Sequence, residues 1–296
     1  MQVGSVVKEE APSSLMARGA LWLLAVLLVV LYAPTAVWLW GRWTLSVWHN
    51  AHGLLIPPVV AYFVYQELKE RPHLPVGSSA WGFLFLVPAM ILQALDAGMH
   101  TELLSAVSLV LALPGLALLL IGVERTRLIA FPLLFLTFAL PIPLGLTENI
   151  HLALRHVATW GTAAVMPSLG IPVFVEGTTL HMATGTLQIA DACSGFSTLY
   201  AAMAVAFLTA YSTESVSRRV LVLLGAAPIA VASNLLRVVL LVVLTVWQGP
   251  EILESWIHPA SGMMTFALSL PLIFWLGGQT RSAAPVVRTP VIEARP

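Results

Sequence analysis

Charge is what this chain has least of. Of its 296 residues only 9% are Asp, Glu, Lys or Arg, 14 of each sign, while 58% are hydrophobic. With a mean hydropathy of +0.90, that shortage excludes an ordinary soluble domain. No basic face can be assembled from so few scattered cations, so nucleic acid is not an expected partner. Cysteine occurs once, which rules out an intrachain disulfide framework and any multi-cysteine metal site. No internal repeat and no low-complexity segment is present. What the chain does have is long apolar runs, and these imply an all-α polytopic membrane protein embedded in a lipid bilayer.

About 20 apolar residues cross a hydrocarbon core of ~30 Å. Eight such stretches are expected, at 20–40, 53–67, 79–95, 102–123, 128–146, 193–212, 220–247 and 259–277. The second is short and carries Pro57 and Pro58, which predicts tilting or a break near its outer end. The first is too long for a signal-peptide core and reads as a retained span. Residues 1–19 and 279–296 are then cytoplasmic tails flanking a transmembrane core over 20–278.

Lys and Arg accumulate in short cytoplasmic loops. With eight spans, Lys8, Arg18, Lys69, Arg71, Arg125, Arg127, Arg218, Arg219, Arg281, Arg288 and Arg295 all fall on one side, and only Arg42 and Arg155 on the other. The one long external connection is 147–192. Its first part, Thr147 to Met166, reads as an amphipathic helix. In the remainder, β-prone runs separated by Glu176-Gly177 and Thr184-Gly185 predict a small hairpin or meander before the sixth span.

That segment delivers Cys193, followed by Ser194 and Gly195, to the outer start of the sixth span. Unpaired N–H groups at a helix N-terminus favour a thiolate, whereas the nearby Asp191 opposes it. A lone cysteine in a membrane helix also serves simply as a small packing residue. Arg237, in "SNLLR", is the only cation inside a predicted span. A buried arginine costs ~2.5–3.5 kcal/mol on insertion scales, so it requires a partner or a function. Snorkelling to the outer surface would have to cover about 15 Å of helix. Asn234 lies one turn earlier and can hydrogen-bond the guanidinium or a substrate carbonyl. His258 opens the eighth span in "HPASGMMTF", with Gly262 and Phe266 following on one helical face. A thiol, an imidazole and a cation on one side of the membrane together permit cysteine acyl transfer.

In order and spacing, "HGLLIPPVVAY" (52–62), "PIP" (141–143), "IPVFVEGTTLHMATGTLQIADACSGFSTLYA", "SNLLR" (233–237) and "HPASGMMTF" (258–266) resemble the motifs of the exosortase/archaeosortase family, membrane-embedded cysteine transpeptidases. The likeness runs from about Trp43 to Gly277. It implies Cys193 as nucleophile, Arg237 as stabiliser of the carbonyl or oxyanion, and His258 as general acid/base. Ser194, Asn234 and Gly262 are expected to contact substrate. No cofactor and no metal is implied. The implied partners are exported proteins ending in a short sorting motif (Pro-Glu-Pro-like in many bacterial cases), a transmembrane helix and a basic tail. The implied location is the cytoplasmic (inner) membrane, with the site facing the exterior; bacterial members often accompany exopolysaccharide production.

Two other readings compete. A transporter or channel would use Arg237 and Asn234 to line an anion path and would be indifferent to the thiol. A metal or haem site would draw on His49, His52, His100, His151, His156 and His181, although no zincin spacing is present. Asp96 and Glu102 bracket a tight external turn and are expected to be solvated. Trp38, Trp40, Trp43 and Trp48 read as an interfacial belt.

Overall fold

A computed structural model describes residues 14–44, 52–189 and 194–278. Residues 1–13, 45–51 with Trp48 and His49, 190–193 with Asp191 and Cys193, and 279–296 lie outside the described residues. The described chain contains eight helices and one small sheet. Five segments are long and apolar enough to cross a membrane: Leu21–Thr44, Ala80–Met99, Leu103–Ala139, Val216–Gln248 and Ala260–Gly277. The protein is therefore an all-α polytopic membrane protein, as its composition requires. The chain divides into two compact units, the first spanning 1–45 and 53–141 and the second 46–52 and 142–296.

The first unit holds α1 (Ser14–Thr44), most of α2 (His52–Glu70), α3 (Phe83–Met99) and α4 (Leu103–Phe135). Despite Pro57 and Pro58, α2 is helical from end to end, so the expected break is absent. Glycines let α3 and α4 approach closely. A Cβ on Gly82 would lie 2.5 Å from the Gly115 carbonyl oxygen, and one on Gly115 would lie 2.9 Å from that of Gly82. A polar chain ties α1 to the same pair: the Tyr32 hydroxyl meets Ser108 Oγ at 2.7 Å, and Ser108 donates to the Ala89 carbonyl at 2.7 Å.

The segment α4 is two helices in one run, because Gly122 has φ +80° and interrupts it. The break is held by the loop before α3. Gly77 and Ser79 N–H groups donate to the Ile121 and Leu118 carbonyls. The Arg125 guanidinium donates to the carbonyls of Leu74 and Pro72 at 2.8–3.1 Å. Eight spans were expected; by length and apolarity five segments qualify among the described residues, and the run Leu103–Ala139, kinked at Gly122, stands where the spans 102–123 and 128–146 were expected. The second half ends earlier than expected, in a 3₁₀ turn at Leu136–Ala139. Pro141 and Pro143 explain this, since the residue before a proline is pushed out of the helical region and Leu140 is extended at φ −75°, ψ 132°.

Asp96 corrects the sequence reading: it is buried, 3% exposed. Its carboxylate accepts from the N–H and hydroxyl of Thr101 and from the N–H and hydroxyl of Ser105. It closes the α3–α4 turn, where His100 and Glu102 both have positive φ, and satisfies the Ser105 N–H in the first turn of α4.

The second unit contains α5 (Leu144–Val165), strands β1 (Phe174–Glu176), β2 (Thr179–Met182) and β3 (Gly185–Gln188), then α6 (Phe196–Ser212), α7 (Val216–Gln248) and α8 (Ile257–Gly277). The strands form the expected meander, antiparallel in the order β1-β2-β3. At one level of the unit, Ala202 and Ala206 of α6, Val222, Ala226 and Ala230 of α7, and Ile273 of α8 make a core of small side chains. At the other, Leu180, Leu187 and Ile189 of the meander pack with Ala158 and Met166 against Val238 and Val242 of α7. At 33 residues, α7 is about 50 Å long, well beyond a ~30 Å hydrocarbon core, and the meander covers its second half.

Candidate active site

The starts of α6 and α8 both meet α7 where its two cores join. Asn234 and Arg237, one turn apart on α7, are each almost wholly buried, at 4% and 6% exposed. Asn234 Nδ2 donates to the Ser194 carbonyl at 3.2 Å, which pins the residue following Cys193. Cys193 itself is outside the described residues. Gly195 is required here twice over. Its φ is +83°, and a Cβ would lie 2.4 Å from Asn234 Cγ. Ser194 Oγ then accepts from the Phe196 N–H at 3.3 Å, satisfying one of the free donors at the start of α6.

Arg237 reaches the other way, toward α8. Its Nε donates to Ser261 Oγ at 3.1 Å, and its Nη2 donates to the His258 carbonyl at 3.3 Å. Ser261 Oγ donates to that same carbonyl at 2.7 Å. Gly262 leaves room for the guanidinium, because a Cβ there would lie 3.1 Å from Cζ. The cation is thus a docked group at the first turn of α8, and Gly262 has a packing reason to be glycine. Asn234 and Arg237 are bracing residues of α7 that hold the Cys193-bearing segment on one side and the His258-bearing turn on the other.

From position 237 to the end of α7 at 248 runs about 16 Å of helix, yet α6 and α8 begin level with Asn234 and Arg237. The meander packs on Val238 and Val242, just beyond Arg237, and Arg237 and the start of α6 share one level of α7.

One residue entered the sequence reading only among the histidines of a metal or haem site, with no part in acyl transfer. His151 of α5 is 7% exposed. Its Nδ1 lies 3.1 Å from Ser194 Oγ, and its ring is 4.4 Å from that of Phe196. It contacts both neighbours of the α6 start. The available signal was spacing: His151 falls one turn after Thr147, and both lie on the buried side of α5 with Ala158 and Thr162. Of the other histidines, His52 packs edge-on against Tyr200 with ring centroids 5.1 Å apart, and His181 pairs with Glu176 at 3.1 Å on the meander. In the first unit, Trp43 uses its indole N–H on the Ala139 carbonyl at 2.9 Å, and Trp38 lies under the Arg42 guanidinium.

The family model described as Transmembrane exosortase matches residues 40–275, a span that takes in every element of the site just described. The chain belongs to the transmembrane exosortase family. No curated protein and no solved structure matches it. Exosortases are membrane transpeptidases that act on exported proteins carrying sorting signals.

Proposed function

We propose that this exosortase cleaves the C-terminal sorting signal of exported proteins, of Pro-Glu-Pro type, through a thioacyl intermediate on Cys193. The observation that supports it is the double bracing by α7: Asn234 holds the carbonyl of Ser194, and one turn on Arg237 holds the carbonyl of His258. The thiolate of Cys193 attacks the scissile carbonyl carbon. The C–N bond breaks, and His258, which took the thiol proton of Cys193 to form that thiolate, delivers it to the departing amine. An acceptor amine or water then attacks the thioester, His258 takes its proton, the C–S bond breaks and the proton returns to the cysteine thiolate. Arg237, buried and held in place, supplies positive charge for the oxyanion, and burial strengthens that interaction. Ser194, Asn234 and Gly262 contact the substrate main chain.

In this reading residues 20–278 are the catalytic core, 1–19 and 279–296 are cytoplasmic tails, and the site opens to the exterior of the cytoplasmic membrane. The test compares processing of an exported protein bearing a sorting motif, transmembrane helix and basic tail by the wild type and by Cys193→Ala at matched membrane levels. Loss of processing, with a thiol-linked acyl species in the wild type, is the expected result. Unchanged processing removes the thiol from the mechanism.

A further inference from the structure

The meander is joined directly to the nucleophile's segment, and its hydrogen-bonding phase can be worked out. Ile189 N–H donates to the Thr178 carbonyl at 2.9 Å, and the register pairs Leu180 with Leu187 and His181 with Thr186. In an antiparallel ladder the pairs alternate between bonded and non-bonded. Residues 189, 187 and 185 therefore turn their N–H and C=O groups toward β2, and Thr186 and Gln188 turn theirs to the outer edge of β3. Both outward residues are exposed, while Leu187 between them is buried. The pairing order makes β3 an edge strand, and both other strands lie against α5. Among the described residues, no main-chain hydrogen bond outside the sheet reaches Thr186 or Gln188.

An exposed strand edge is a template for another extended chain. Chain length makes this edge relevant to catalysis: Cys193 follows Gln188 by only five positions. At most ~3.3–3.6 Å per residue, that keeps the thiol within about 18 Å of the edge. We propose that the outer edge of β3 binds the extended sorting segment of the substrate as an added strand, with the N–H and C=O groups of Thr186 and Gln188 pairing with its main chain. This inference rests on the cysteine transpeptidase reading and adds to it the substrate's conformation: an extended peptide recognised by its backbone. Main-chain pairing tolerates varied side chains, so the edge supplies alignment and leaves sequence preference to the buried site.

The experiment uses the full chain in membranes and the same tail-bearing protein as substrate. Thr186→Pro and Gln188→Pro each delete an outward N–H and leave the bonds to β2 intact. Thr186→Ala and Gln188→Ala delete only side chains. Because Cys193 is the only cysteine, its alkylation rate by a maleimide reports directly whether the nucleophile's surroundings have changed. Each proline variant is expected to raise KM about fivefold, the worth of one hydrogen bond, with kcat and the alkylation rate near those of the wild type. The alanine variants are expected to process normally. Wild-type KM in both proline variants overturns the inference, as does slowed processing accompanied by an equal change in alkylation. If Cys193→Ala also processes normally, the transpeptidase reading falls with it; if Cys193 is required and the prolines are silent, only the β3 edge falls.

Discussion

Gly195 gives the sharpest test of the site's construction. In Gly195→Ala the new Cβ would lie 2.4, 2.7 and 2.8 Å from Asn234 Cγ, Nδ2 and Cβ. Overpacking of this kind costs about 1–3 kcal/mol. The left-handed φ of +83° adds about 1–2 kcal/mol for any L residue, so the single variant should lose about 2–5 kcal/mol of stability. Relief by swinging Asn234 aside breaks its bond to the Ser194 carbonyl and displaces the segment that bears Cys193, so processing should fall even where the fold survives. Asn234→Ala alone leaves that buried carbonyl without this donor, at about 1–3 kcal/mol. In the double variant the Cγ and Nδ2 contacts vanish and the 2.8 Å Cβ contact stays, so relief is partial. The double variant should be more stable than the sum of the singles predicts by about 1–2 kcal/mol, the relieved share of the overpacking. Reversible unfolding in mixed micelles, followed by the fluorescence of the 10 tryptophans, measures all four corners of the cycle. Free energies that add within ~0.5 kcal/mol would refute the contact, as would a Gly195→Ala protein of wild-type stability.

Two further substitutions probe different parts of the molecule. Arg237→Lys keeps the charge and loses the fork that reaches Ser261 and His258 together; kcat should fall about hundredfold, the usual cost of one oxyanion donor, at unchanged membrane level, and a fall under threefold would remove Arg237 from the chemistry. Asp96→Asn turns an amide N–H₂ toward groups that all donate; a loss of about 2–4 kcal/mol is expected from the unmatched donors, and an unshifted thermal midpoint would show that the carboxylate does not close the α3–α4 turn.

Much of the fold was legible because it depends on local composition. Hydrophobic runs marked the helices, and Glu176-Gly177 and Thr184-Gly185 marked the turns of the meander, whereas the kink at Gly122 fell just inside an expected span. Prolines misled in both directions: Pro57 and Pro58 left α2 unbroken, whereas Pro141 and Pro143 ended a helix that hydropathy alone extended to 146. Of the site, an arginine within an apolar run was visible for its desolvation cost, and glycines at 195 and 262 were visible as residues. What those glycines make room for was not.

The amino-acid order by itself determined that this chain lives in a bilayer, how its apolar segments alternate with short charged loops, and which residue types are available for chemistry, since each follows from transfer free energy summed over neighbours along the chain. Tertiary structure alone decided that Asp96 is buried as a turn-closing acceptor, that His151 meets Ser194 across 43 positions, and that Asn234 and Arg237 divide their hydrogen bonds between α6 and α8. Those pairings are between residues far apart in sequence, and a buried polar group takes whichever partner the packed helices bring within 3 Å or so, a distance that no local pattern encodes.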